Sequence, residues 1–182
     1  MHLAEPAAMD FEAQPVLHGP TLCLRPLLPE DQEPLWEAAR DPLIWEQHPD
    51  KTRYHRAGFL RFFQEALASR GALAVVDRAS GRIIGTSRFY DWDAARRELA
   101  IGSTFLVRQY WGGAANAEMK QLMLRHAARW AEGIWFHVGT ANLRSRRAMD
   151  KLGARPMFEG QRPLNGALVD FVYYRIDAAD VR

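Results

Sequence analysis

The stretch from Phe105 to Asn116 constrains the fold more than any other. Phe105-Leu106-Val107 is an apolar run that reads as the end of a strand, and Gly112-Gly113 follows a few residues later. From 114 to 130 the apolar residues return at helical spacing, with Met119, Leu122, Met123, His126, Ala127 and Trp130 on one face. A strand that turns through glycines into a helix start leaves several backbone N–H groups without partners. The helix dipole adds partial positive charge at the same corner. Such a corner suits an anion, phosphate above all, and glycine lets the anion approach without a Cβ in the way. No Gly-Lys-Ser/Thr follows, so this is not a P-loop, and the spacing of a dinucleotide-binding fingerprint is absent. Taken alone, the glycine pair reads first as an ordinary loop that caps a helix.

The rest of the chain reads as strands and helices packed around that unit. A length of 182 residues suits one domain, since single domains run to roughly 100–200 residues. Residues 1–20 are rich in Ala and Pro and are expected to form a loosely ordered arm, partly packed through Phe11 and Val16. Residues 21–182 are expected to form the folded domain. A strand is predicted over 21–27 and a helix over 31–39, which Asp41-Pro42 ends. Trp45 to Pro49 is a polar and aromatic loop. A helix over 52–70 carries Phe59, Phe63, Ala66 and Leu67 in a stripe, widened by Phe62. Strands over 72–77 and 82–90 form a hairpin around Ala79-Ser80-Gly81, and Gly85 within the second implies a bulge or a close backbone approach. A polar loop begins at Asp91.

The strand over 98–107 is weakened by Gly102-Ser103-Thr104, where a bulge would splay it from a neighbour. Residues 134–139 suit a buried strand. A helix follows, with Thr140 expected as N-cap and Gly153 as its stop. Asn142, Ser145, Met149 and Leu152 share one face of that helix. Asn165-Gly166 marks a turn between two final strands, and the near-continuously apolar 168–176 is expected to be central.

Charge and cysteine usage exclude several classes. The net charge of +2 is too small to mark a nucleic-acid-binding protein. Arg144, Arg146, Arg147 and Lys151 form the densest cationic cluster, read either as a solvated helix face or as cations beside a polyanion. Cys23 is the one cysteine, so no disulfide framework and no cysteine-rich metal site is expected. A lone thiol in an apolar run fits a buried small residue and a cytoplasmic setting. No apolar run approaches transmembrane length, and the first 20 residues lack a signal-peptide pattern. Neither a membrane nor a nucleic acid is therefore expected as a partner, and no metal.

Two motifs in order resemble one family. Gln109-x-x-Gly112-x-Ala114 resembles the Q/R-x-x-G-x-G/A signature of the GNAT superfamily of acyl-CoA-dependent N-acyltransferases. Tyr110-Trp111-Gly112 is most similar to the branch that holds ribosomal-protein N-terminal acetyltransferases. Asn142-x-x-Ser145, followed by Lys151-Leu152-Gly153, resembles the N-x-x-S…K-L-G segment of that branch at the right distance. Leu24-Arg25-Pro26-Leu27 with Pro29-Glu30-Asp31 is similar to its entry strand and first helix. The likeness spans about 22–176, nearly the whole chain.

The resemblance implies a single α/β (α+β) domain. Its central sheet would be mixed and mostly antiparallel, with a splayed strand pair and about four flanking helices. It implies acetyl-CoA as co-substrate. The loop amides would hold the diphosphate, and the pantetheine arm would lie in the splay. The cofactor-binding residues it implies are Phe105, Leu106, Val107, Gln109, Gly112, Gly113, Ala114, Ala115, Asn142, Ser145 and Arg147. The reaction it implies is direct attack by a primary amine in a ternary complex, with no enzyme nucleophile. Many members carry a tyrosine acid seven residues after the Asn, and that position here is Met149. Ser145 is then the expected partner of the thiolate, Asn142 positions the arm or the amine, and Glu98 is the candidate base or else a solvated strand residue. Glu46, His48 and Asp93 are candidate acceptor-side groups, and His137 reads as a satisfied core histidine. The acceptor is left open among protein N-termini, amino acids, polyamines and antibiotics, as is a homodimer. The alternative function is a CoA-binding regulatory module of the same fold that has lost turnover.

Overall fold

The computed structural model describes residues 10–182. Its sheet has eight strands among the described residues: β1 (Leu17–His18), β2 (Leu22–Pro26), β3 (Ala72–Asp77), β4 (Ile83–Asp93), β5 (Glu98–Leu106), β6 (Gly133–Gly139), β7 (Arg155–Leu164) and β8 (Ala167–Asp177). The order is β1-β2-β3-β4-β5-β6-β8-β7. Every pairing is antiparallel except β5 with β6. Four helices flank it: α1 (Gln32–Ala39), α2 (Arg56–Ser69), α3 (Ala115–Ala127) and α4 (Leu143–Leu152).

Strand alternation divides the core between the two faces. On β3, Leu73 and Val75 point to one face, where Met119 and Met123 of α3 and Met149 of α4 also pack. Ala72 and Ala74 point to the other, against Leu35 of α1 and Phe59, Phe62 and Phe63 of α2. The apolar spacing expected for both long helices is what produces these contacts.

Several boundaries differ from expectation for local reasons. The helix expected from 52 begins at Arg56, because Asp50 accepts hydrogen bonds from the Thr52 N–H (3.0 Å) and hydroxyl (2.6 Å) and holds 50–53 in a turn. Thr140 does not cap α4: its N–H donates to the Asp170 carbonyl of β8 (3.0 Å), and Asn142 caps instead by accepting from the Ser145 N–H (3.2 Å). Gly153 does end the helix, at φ 78°. β4 runs on through Asp91 to Asp93, where a loop was expected. β8 is an interior strand, yet its first residues Ala167 and Leu168 are exposed, and β7 is the edge. Of the expected arm, residues 1–9 lie outside the described residues. The remainder is packed. Phe11 meets Phe89, Trp92, His126 and Trp130, and the Gln14 side chain donates to the Ala72 carbonyl (3.1 Å). Val16 is exposed instead.

One irregularity shapes the site. β5 and β6 pair only from Glu98–Gly133 to Ala100–Trp135 and then diverge. Just beyond, Ser103 and Thr104 of β5 stand opposite Ser87 alone on β4, since Arg88 pairs with Gly102 and Thr86 with Phe105. Ser103 takes φ 48°, in the left-handed region. This is the bulge that Gly102-Ser103-Thr104 implied, and it turns β5 away from β6. At Gly85 the expected close approach is also present, because a Cβ there would collide with the Phe105 carbonyl oxygen.

Candidate active site

A cleft of about 690 Å³ opens where β5 and β6 part, within the roughly 300–1,000 Å³ common for ligand sites. Its walls come from Ile101 to Leu106 of β5, Phe136 to Gly139 of β6, the start of α3, the face of α4 and the 44–48 loop. At one end lies the glycine turn. Gly112 sits at φ 72°, a conformation that strains residues with a Cβ. Neither Gly112 nor Gly113 has a neighbour within 4 Å of where a Cβ would stand. Ala114, the residue before α3, offers no side-chain cap, and the first N–H to bond back is that of Glu118, to the Ala114 carbonyl. Among the described residues, the N–H groups from Gly112 to Ala117 have no protein acceptor. They are the orphan donors of a helix start, and Gly112, Gly113, Asn116 and Ala117 among them line the cleft.

The turn is held from behind. The Trp111 indole N–H donates to the Leu106 carbonyl (2.9 Å), and the Tyr110 hydroxyl to Asp77 (3.1 Å). The Arg144 guanidinium lies 3.9 Å from the Trp111 ring centroid and donates to the Ile44 carbonyl (2.8 Å). The Arg144 N–H donates to the Gln47 side chain (3.0 Å). These contacts tie the 44–48 loop, the glycine turn and α4 into one wall.

The expected site residues divide. Phe105, Leu106, Gly112, Gly113, Asn142, Ser145 and Arg147 line the cleft. Val107, Gln109, Ala114 and Ala115 do not: Val107 packs into the core, donating to the Ile84 carbonyl (2.8 Å), and Gln109 and Ala114 face solvent. Glu98 is outside as well, at the first residue of β5, where Arg175 pairs with it. The Asn142 side-chain oxygen is committed to capping α4. Met149 is buried and, like Ser145, lines the cleft.

The two cleft histidines, His48 and His137, are held toward the neutral form. Burial, reinforced by Arg53, lowers His48 to about 3, and its Nδ1 accepts the Asp50 N–H (2.9 Å). Burial and the Arg162 charge lower His137 to about 4. His137 is only partly a core residue: it lines the cleft, and its Nδ1 contacts the Tyr90 hydroxyl (3.0 Å) and Arg162. Burial raises Tyr90 to about 12. Glu46 lines a second hollow of about 200 Å³ beside His48 and Asp170, while Asp93 pairs with Arg96 at the surface.

Trp111, known from the sequence only as part of the family motif, also lines the cleft, as do Asn116, Ala117, Lys120 and Gln121, which were not proposed as site residues. Among the described residues, the buried Gln121 side-chain oxygen has no hydrogen-bond partner. Lys120 is 5% exposed. The sequence carried no signal for either, since a Lys and a Gln between polar helix residues read as solvated.

Comparison with known proteins gives a consistent picture. A family model described as an acetyltransferase (GNAT) domain matches residues 21–155. Among curated proteins none matches. A putative acetyltransferase from T. thermophilus is 26% identical, covering 91% of this chain and 90% of its own, with a TM-score of 0.73. A GCN5-related N-acetyltransferase from Brucella melitensis shares the fold at 20% identity and TM-score 0.81, over 92% of this chain and 80% of its own. Mycobacterium smegmatis RimJ, solved in complex with CoA-disulfide, shares it at 18% identity and TM-score 0.69, over 92% and 88%.

Proposed function

From the premise that the chain belongs to the GNAT acetyltransferase family, we propose that it transfers the acetyl group of acetyl-CoA to a primary amine by direct attack. The observation that carries this is the row of unpartnered N–H groups at 112–117, of which Gly112, Gly113, Asn116 and Ala117 stand at the wall of the cleft between β5 and β6. A diphosphate satisfies those donors and the helix dipole together. The unpaired edge of β5 beyond Ala100 can bond the amides of a pantetheine arm as an added strand would. The buried Gln121 oxygen offers one more acceptor to an arm N–H. Arg147 adds a cation at the cleft wall.

Ser145 is the hydroxyl that donates to the departing sulfur, and Asn142 places its free amide beside the arm. Glu98 serves the sheet rather than the reaction, since Arg175 already neutralises it away from the cleft. His48 and His137 are poor bases, because both resist protonation and both have Nδ1 engaged. The amine proton therefore passes to water. The 44–48 loop and the hollow lined by Glu46 and Asp170 form the acceptor side.

The test is release of CoA thiol from acetyl-CoA against peptides with free N-termini, amino acids, polyamines and aminoglycosides. Amine-dependent release is expected. Binding of acetyl-CoA with no release under any acceptor would favour a regulatory CoA-binding module, to which Met149 in the acid position also points.

A further inference from the structure

Lys120 is a charged group buried in the cleft with no opposite charge beside it. Its side chain rises from the second turn of α3 to the point where β5 and β6 part. Nζ donates to the Thr104 hydroxyl (3.0 Å), which is bonded to the Ser87 hydroxyl (2.7 Å). The Phe136 ring centroid lies 5.4 Å away. Its surroundings are thus two neutral hydroxyls and an aromatic face, and among the described residues no carboxylate pairs with it. The other titratable or cationic groups around the cleft are His48, His137, Arg144, Arg147 and Lys151, none of them an anion.

A buried ion without a counter-ion is costly, so such groups are normally paired or face a ligand. The anion must come from what enters the cleft. The bulge residue that holds Nζ belongs to the splay in which the thioester arm is placed above. We propose that Lys120 is a catalytic residue whose ammonium faces the acyl end of the bound thioester and stabilises the negative charge that forms there.

This rests on the acetyl-transfer reading. In the step, the amine nitrogen attacks the acetyl carbon and the carbonyl electron pair moves to oxygen. The oxygen pair then re-forms the carbonyl as the C–S bond breaks with its pair on sulfur, and the surplus proton of the nitrogen reaches that sulfur through water. The products are an amide and CoA thiol, and Lys120 keeps its proton throughout. Its cation is matched to charge present only in the transition state, which is where electrostatic stabilisation accelerates a reaction. Burial lowers the Lys120 pKa to about 7, so the charge is available at neutral pH and fades above it.

The test uses S-carboxymethyl-CoA, a stable thioether with a carboxylate next to the place of the acetyl carbonyl. By calorimetry at about pH 6.5, the wild-type chain should hold it at least about tenfold more tightly than acetyl-CoA, as a close charge pair would give. Lys120→Met should abolish that preference while still binding acetyl-CoA, and Lys120→Arg should keep it. With any amine that the wild type acetylates, Lys120→Met should lower kcat by about 100-fold. If the wild type binds acetyl-CoA but shows no preference for the anion, or Lys120→Met retains it, the role of Lys120 is overturned and the transfer reading stands. If acetyl-CoA does not bind the wild type, both fall.

Discussion

Ser145 and Met149 stand one turn apart on α4 and both line the cleft, where Met149 is buried. A serine hydroxyl is a far weaker acid than a thiol of pKa about 8.5, so Ser145 can donate a hydrogen bond to the sulfur but not supply its proton. Ser145→Ala should therefore cut kcat by about tenfold and leave the acetyl-CoA Kd within about threefold, read by steady-state kinetics and calorimetry. Equal turnover in the variant would remove Ser145 from the reaction. Lys120 carries a separate prediction for stability. Its folded pKa of about 7 lies below the unfolded value near 10.4. The unfolded chain thus binds more protons between those values, and stability rises with pH across that window. Lys120→Met should raise Tm at pH 7 and below, with a gain that shrinks as pH approaches about 10. A gain that is the same at all pH values would contradict the burial of a charge. Single residues are also where sequence reading reached least far. A lysine amid polar helix residues looks solvated, and only the packing of α3 shows it turned inward. Glu98 looked free because Arg175 is 77 residues away along the chain.

At the scale of elements, the glycine turn, the helix after it and the bulge before it were all legible, because each has a local cause. Helical spacing set α3, and Gly102-Ser103 marked where β5 could not stay regular. The misplaced start of α2 and the wrong cap of α4 arose where a side chain or a distant strand claimed the backbone: Asp50 in one case, Asp170 in the other. The bulge itself can be tested. Deleting Ser103 leaves Thr104 alone opposite Ser87 and keeps the register of Gly102 and Phe105 on either side. The sheet should still form, β5 should lie closer to β6, and acetyl-CoA affinity should fall at least about tenfold as the slot narrows. Unchanged affinity in a folded variant would mean that the bulge does not make the slot.

Over the whole molecule, the mixed eight-stranded sheet and its four helices follow the layout that the resemblance implied. What joined these parts into a site was not legible. The hook of Arg144 onto Trp111 and Ile44 links segments far apart in sequence, and although Phe11 was expected to pack, its partners Phe89, Trp92, His126 and Trp130 could not be named. Among the described residues no helix is long and apolar enough to cross a membrane. The central claim is that main-chain donors of the 112–117 corner grip the cofactor diphosphate. Gly113 isolates this, since a Cβ there would meet no protein atom within 4 Å and would stand in the space proposed for the phosphate. Titration calorimetry of acetyl-CoA into wild type and Gly113→Val, at matched thermal stability, reads it directly. The account expects Kd to rise at least about tenfold in the variant; equal Kd values would contradict it.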